Sequence, residues 1–443
     1  MSPVNFTGAG ARTVTVTVTV TVAAALVGAC VQGNPEGLGD VVPFNGGTIE
    51  VPGCGYSVST RVGAEAPEVA DDHVGPDPTV KHVHLGLTGD PRTSIVVTWR
   101  TLDDDTRAGK VAFGVGGLTS EVTALTFAYQ SGIGGIGEQV RIHEAHLCGL
   151  GPDTEYQYQI VSGPGHVSPQ YSFRTAPDIV ATPDAEVVIA SVGDSRDGYA
   201  IWAQLVDQLI ARTPDLVVFS GDAVTIGQFQ AEWEEFFAAG EPLFARVPVV
   251  SVHGNHDLNA VNFYSQFAMP GDEQNFSFDY GHAHITVLND SPEQLGDLTG
   301  KVKEFLRADL AAHEGKRWKL VSHHRPVYSA STRHGSDMTL MMEWAPLYDQ
   351  YGVDLALAGH DHDYERTHPM RGTEVQATPA DGTVYVVSGG AGADLYDNGT
   401  DFWTALSQKT HSAVTLRIRS SMLELSAFDP GGAPIDALTI TKP

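Results

Sequence analysis

The sequence predicts an α/β layered domain preceded by an all-β domain, and three observations point to it. Five short apolar runs alternate with helix-like stretches between residues 187 and 358. Each run ends in a short loop rich in Gly, Asp, Asn or His. Ahead of them, residues 83–175 carry runs in which apolar and polar residues alternate.

The all-β part comes first. Val83–Leu87, Ile95–Trp99, Val140–His146 and Thr154–Ile160 follow the period-two pattern of antiparallel strands with one buried face. Tyr171–Thr175 is the last strand of this group, and Ala176–Ala185, which holds Pro177 and Pro183, is a short linker. Beyond it, Val187–Val192, Leu216–Phe219, Val247–Val252, Trp318–Val321 and Val353–Ala358 are apolar runs of the kind expected for strands buried on both faces. They read as strands of one central sheet. Apolar residues at three- and four-residue spacing mark helices over Ile201–Arg212, Ala231–Ala245, Val302–Glu314 and Met341–Tyr351. The alternation gives the α/β layering. Thr383–Gly392 and the strands of Ala413–Ile440 are expected to form a second sheet.

The loops carry the chemistry: Gly193-Asp194, Gly221-Asp222, Gly254-Asn255-His256-Asp257, His323-His324 and Gly359-His360-Asp361-His362. Ligands of open α/β sheets collect outside the carboxyl ends of the strands, where all five loops fall. Carboxylate and amide oxygens with imidazole nitrogens suit iron, manganese or zinc, and no thiolate site is suggested. A glycine before the ligand lets the chain turn sharply and approach an ion closely. His360 and His362, alternate residues of one segment, are placed to face two neighbouring ions. Taken singly, Gly-Asp is a common turn, and 18 histidines make chance pairs frequent. The ordered set of five is the specific signal.

That series resembles the calcineurin-like metallophosphoesterase superfamily. The contexts His324-Arg325-Pro326 with Tyr328, and Gly359-His-Asp-His-Asp-Tyr-Glu-Arg366, look like the purple acid phosphatase branch. The resemblance implies a four-layer α/β/β/α catalytic domain over residues 185–443, preceded by a fibronectin type III-like β-sandwich over 78–176. It implies two metal ions, with Asp222 bridging, Asp194 and His362 on the first, and Asn255, His324 and His360 on the second. The implied activity is a phosphatase: two cations roughly 3.5–4 Å apart activate a water as hydroxide for in-line attack on a small phosphate ester. His256 is the first candidate proton donor to the leaving group. His334 is the second by the same resemblance, with a solvated loop position as the competing reading.

The chain departs from the family pattern twice. Purple acid phosphatases owe their colour to a tyrosinate on ferric iron, three residues after the bridging Asp; here that position is Thr225. Arg196 stands where related phosphoesterases place a histidine ligand, and a guanidinium has no lone pair to offer. It is read either as a clamp on a phosphate oxygen or as an ion pair with Asp197 or Asp363. Arg325 and Arg366 are read as structural. Tyr199 is the nearby alternative tyrosine.

Composition fits an exported enzyme. The 443 residues agree with two domains and a leader. A formal charge of −28 disfavours nucleic-acid polymers and anionic membrane faces as partners, but not small phosphate esters. Residues 1–29 resemble a lipoprotein-type signal ending at Val27-Gly28-Ala29 before Cys30, whose lipidation would be the membrane anchor. Residues 30–77 read as a flexible tether. Cys54 and Cys148 then remain, and an oxidising compartment permits their pairing. Two alternatives stand beside the phosphatase: a phosphodiesterase or nucleotidase of the same fold, and a non-catalytic surface binding protein with a vestigial metal site.

Overall fold

The five apolar runs form strands, but they divide between two sheets. The computed structural model describes residues 47–60, 64–65, 76–103, 109–163, 165–292 and 294–443. The strands are β1 (Val187–Val192), β2 (Leu216–Phe219), β3 (Val249–Ser251), β4 (Trp318–Ser322) and β5 (Leu355–Ala358). One six-stranded sheet runs β3-β2-β1 in parallel and continues antiparallel through Ala413–Ile418, Met422–Phe428 and Pro434–Thr441. The other, seven-stranded, holds β4 and β5 side by side in parallel, between Ala283–Val287 and Val384–Ser388. The single central sheet expected from the sequence is therefore corrected. So is the second sheet built from the C-terminal runs, because Val384–Ser388 joins β5 while Ala413–Ile418 joins β1.

The reason lies in the side chains. Leu320, Leu355, Leu357 and Val386 belong to the same core as Ile189 and Leu416 of the six-stranded sheet. The intervening Val321, Ala356 and Tyr385 pack with Leu306 and Tyr348, in the helices Lys301–Ala312 and Ala345–Tyr351. Period-two alternation thus aims one face at the other sheet and one at a helix layer. On the far side, Trp202 of Tyr199–Arg212 and Phe236 of Gln230–Phe244 stack with centroids 5.9 Å apart, beside Phe219 of β2. The layers are α/β/β/α. The helix expected over Met341–Tyr351 is two helices, Met338–Glu343 and Ala345–Tyr351, parted at Trp344 just before Pro346.

The N-terminal domain is two antiparallel five-stranded sheets. Its strand Gln139–Cys148 is buried on both faces rather than one, with eight consecutive buried residues. Ala145 and Leu147 join the main core. Val140 and Ile142 form a satellite core with Phe127, Val51 and Val58. The cover is a hairpin, Gly47–Glu50 paired with Ser57–Thr60, held by a Cys54–Cys148 disulfide. Residues 47–60, and Ala64–Glu65, which pairs with Leu125–Gln130, are therefore folded rather than tether. The signal segment and Cys30 lie outside the described residues. No helix among the described residues is long and apolar enough to cross a membrane.

The two domains share one core. The His84 ring stacks on Phe237 with centroids 4.5 Å apart, Tyr129 donates to Gln230 at 2.8 Å, and Arg100 pairs with Glu234.

Candidate metal centre

The strand ends bring the predicted ligands together. Asp194, Asp222 and His360 sit at positive φ of 64°, 54° and 69°, each turning sharply off its strand. Two glycines show why the residue before or beside a ligand is small. A Cβ on Gly254 would lie 2.2 Å from Asp222 Oδ1, and one on Gly359 would lie 2.2 Å from Asp194 Oδ2.

His324 Nδ1 lies 2.8 Å from the Ser220 carbonyl oxygen, which can only accept, so that nitrogen carries a proton. Its Nε2 faces Asn255 Oδ1 at 3.1 Å, Asp222 Oδ2 at 3.3 Å and His360 Nδ1 at 3.2 Å. Four electron-pair donors converge on one point, and only a cation or a proton satisfies them. The protein's own field expresses the same demand. Burial disfavours a charged His324, yet Asp222 and Asp194 outweigh it and push the ring up to about 10. Burial likewise opposes ionisation of Asp222, but His324 outweighs it and holds the carboxyl well below its usual range. Burial and His324 together depress His360 to about 2, which keeps it neutral with a lone pair to give. These residues fit a divalent ion at the second position. Asp222, His324 and His360 each offer a ligand atom within 4.8 Å of the others.

On the other side of Asp222, His362 Nδ1 is bound to the Asp394 carbonyl at 2.7 Å, so Nε2 is the free nitrogen, 3.5 Å from Asp194 Oδ1. That carboxylate oxygen is buried without a hydrogen-bond partner, and Asp194 Oδ2 accepts from the His360 backbone at 2.8 Å. Arg196 reaches in here. Its Nε is 3.6 Å from Asp222 Oδ2 and its Nη2 is 3.2 Å from His362 Nε2. Of the two readings of Arg196, the ion pair falls on Asp222 rather than on Asp197 or Asp363.

A cavity of about 600 Å³ opens over these groups, lined by Arg196, His256, Arg333, His334 and Tyr396. His256 holds its Nδ1 against the Thr225 carbonyl at 2.8 Å, which leaves Nε2 free, 4.0 Å from Asp222 Oδ2. His334 lies with its ring 4.2 Å from that of His360, and burial pushes it below its ordinary range. Sequence reasoning missed Tyr396 and Arg333. Tyr396 sits in an irregular loop with no motif of its own, whereas Arg333 had a signal in its neighbour His334. Tyr199 does not line the cavity; its hydroxyl is 3.3 Å from the Ala223 carbonyl oxygen. Arg325 pairs with Asp290 and Asp337 while lining a neighbouring cavity with Asn255 and His360, and Arg366 pairs with Asp436.

A second cluster, His284, Asp309 and His313, also meets the spacing of a metal group among the described residues. There the imidazole nitrogens of His284 are already taken by Asp279 at 2.9 Å and Asp309 at 3.1 Å, a closed ion-pair clamp rather than an open site.

Comparison with known proteins agrees with this geometry. A calcineurin-like phosphoesterase family model matches residues 187–364, a span that holds all five loops, and a purple acid phosphatase N-terminal domain model matches residues 80–175. The chain carries a calcineurin-like metallophosphoesterase domain behind a purple acid phosphatase N-terminal domain. Human acid phosphatase type 7 is 26% identical over 412 residues, covering 83% of this chain and 92% of the relative. Purple acid phosphatase 15 of Arabidopsis thaliana is 29% identical over 293 residues, 57% of this chain and 53% of the relative. The structure of a purple acid phosphatase from yellow lupin seeds superposes with a TM-score of 0.69 at 21% identity, covering 82% of this chain and 74% of that one. The metallophosphoesterase fold thus stands on both sequence and shape.

Proposed function

We propose that this metallophosphoesterase hydrolyses small phosphate monoesters, with Asp222 shared between two ion positions. The observation that carries the reading is the convergence of Asp222, Asn255 and His360 on the free nitrogen of His324, beneath a cavity lined by cationic side chains. Divalent ions drawn from iron, manganese or zinc would supply charge to the phosphoryl oxygens and lower the pKa of an attacking water. The chain's own residues do the rest. Arg333 and Arg196 orient the phosphoryl group through charge-assisted hydrogen bonds. His256, its Nδ1–H anchored on Thr225, presents Nε2 to the leaving oxygen and, in its imidazolium form, gives it the Nε2 proton and is left as the neutral ring. His334, whose pKa burial lowers, serves as a hydrogen-bond donor beside His360.

The Cys54–Cys148 disulfide supports an oxidising destination, and with it the export signal and lipidation at Cys30. The deciding experiment is side-by-side turnover of an aryl monoester and an aryl diester by one preparation, with and without chelation. Monoester turnover lost on chelation and restored by added divalent ions supports the proposal. Preference for the diester assigns the chain to phosphodiesterases, and no turnover of either, with metal bound, assigns it to non-catalytic binding proteins.

A further inference from the structure

The two ion positions flanking Asp222 are built differently. The second gathers Asn255 Oδ1, His324 Nε2 and His360 Nδ1, all electron-pair donors. The first has Asp194 and His362, and its remaining space is taken by a fixed positive charge. Arg196 Nη2 lies 3.2 Å from His362 Nε2, the nitrogen left free because Nδ1 is held by Asp394. The same Nη2 is 3.4 Å from the Tyr396 hydroxyl, whose ring stacks on His362. Arg196 Nε faces Asp222 Oδ2 at 3.6 Å, and its side chain is only 15% exposed.

A guanidinium cannot shed its charge near neutral pH and offers no lone pair. At these distances it neutralises Asp222 and occupies His362 as a cation would. A divalent ion entering here meets a like charge and gains no ligand from position 196. Thr225, three residues after Asp222, has no free backbone group to offer: its N–H donates to Glu232 and its carbonyl faces His256 Nδ1.

We propose that the Arg196 guanidinium is the resident cation of the first position. The protein then holds one divalent ion tightly, at Asn255, His324 and His360, and admits a second only when Arg196 swings out into the cavity. The inference rests on the metal-dependent reading above and deepens it, by making occupancy of the two positions unequal.

The test is calorimetric titration of chelator-stripped full-length protein with Mn²⁺, with electron paramagnetic resonance reporting whether bound manganese is single or spin-coupled in pairs. Wild type is expected to bind one tight equivalent and a second at least ~10-fold weaker, since like charges a few ångströms apart repel strongly at low dielectric. Arg196→Gln, which keeps the side-chain length, and Arg196→Ala should each tighten the second equivalent by about tenfold or more and yield the coupled signal at two equivalents. Arg196→Lys should behave as wild type. Two equally tight equivalents in wild type, or a second equivalent unmoved by removing the charge, would overturn the proposal while leaving the metal centre intact. A tight equivalent that survives His324→Ala would instead sink the metal-site assignment beneath it. Circular dichroism of each variant separates loss of folding from loss of binding.

Discussion

The backbone N–H of His256 donates to Asp222 Oδ1 at 2.8 Å, so the loop bearing the proposed proton donor is anchored on the carboxylate that both ion positions share. A change at Asp222 and a change at His256 should therefore be separable by what each leaves behind.

Asp222→Asn keeps an oxygen able to accept the His256 N–H but removes the charge that faces His324 and Arg196. Turnover should fall by roughly 10²–10³ or more, as when a central electrostatic stabiliser is removed, while the fold is retained. Near wild-type turnover with full metal content would show that Asp222 is not the shared ligand.

His256→Ala should slow esters of poorly activated alcohols by about 10²–10⁴ and activated aryl esters much less, because an aryl oxide needs little protonation to leave. Comparing kcat for the two substrate types checks it. Equal losses would remove the general-acid role.

The protein should be colourless or faintly yellow, and chelator-stripped protein should be revived by manganese or zinc. Thr225 stands at the position of the colour-giving tyrosine, and Tyr199 is turned toward the Ala223 carbonyl, with burial raising its hydroxyl above the usual range. A visible tyrosinate-to-iron band that disappears in Tyr199→Phe or Tyr396→Phe would contradict this.

The His284 clamp predicts a pH-dependent contribution to stability. Burial disfavours the charged ring, but Asp279 and Asp309 outweigh it and raise its pKa. A raised folded pKa means stability fully present below about pH 6.5 and lost as pH climbs through the folded value. Asp279 behaves oppositely. Burial opposes its ionisation, yet hydrogen bonds from His284 and Lys316 hold it at about 2, so its contribution is present above about pH 4 and lost toward pH 2. His284→Gln should thus lower the urea midpoint more at about pH 5.5 than at about pH 9. An equal shift at both would mean that the clamp is not charged.

Replacing Cys54 and Cys148 together by Ser should cost roughly 2–4 kcal/mol of stability, since the bridge closes a long loop in the unfolded chain. Denaturant unfolding of both forms measures it. An unchanged midpoint would show that the hairpin stays docked through Val51 and Val58 alone.

Much of the site was legible in sequence because its ligands sit in local motifs: Asn255 and His256 in one loop, His360 and His362 in another. The partition into two sheets was not, because a strand apolar on both faces, such as β4, carries no mark of which neighbour it will pair with. The hairpin at 47–60 was hidden for a different reason. Its short strands gain their apolar partners, Phe127 and Ile142, from segments about 80 residues away. Tyr396 meets His362 through ring stacking and a backbone hydrogen bond, its N–H donating to the His362 carbonyl at 3.0 Å, and neither contact has a spacing signature in the sequence.

The wedge of His84 and Tyr129 against Phe237 and Gln230 has a practical consequence for how this protein is handled. A clone begun at residue 185, where the sequence draws its domain boundary, would strip the cover from a helix rich in aromatic side chains and leave it to find another partner. The sandwich is in that sense less an appendage than the missing outer wall of the catalytic half, and the two are best expressed, engineered and inherited as one piece.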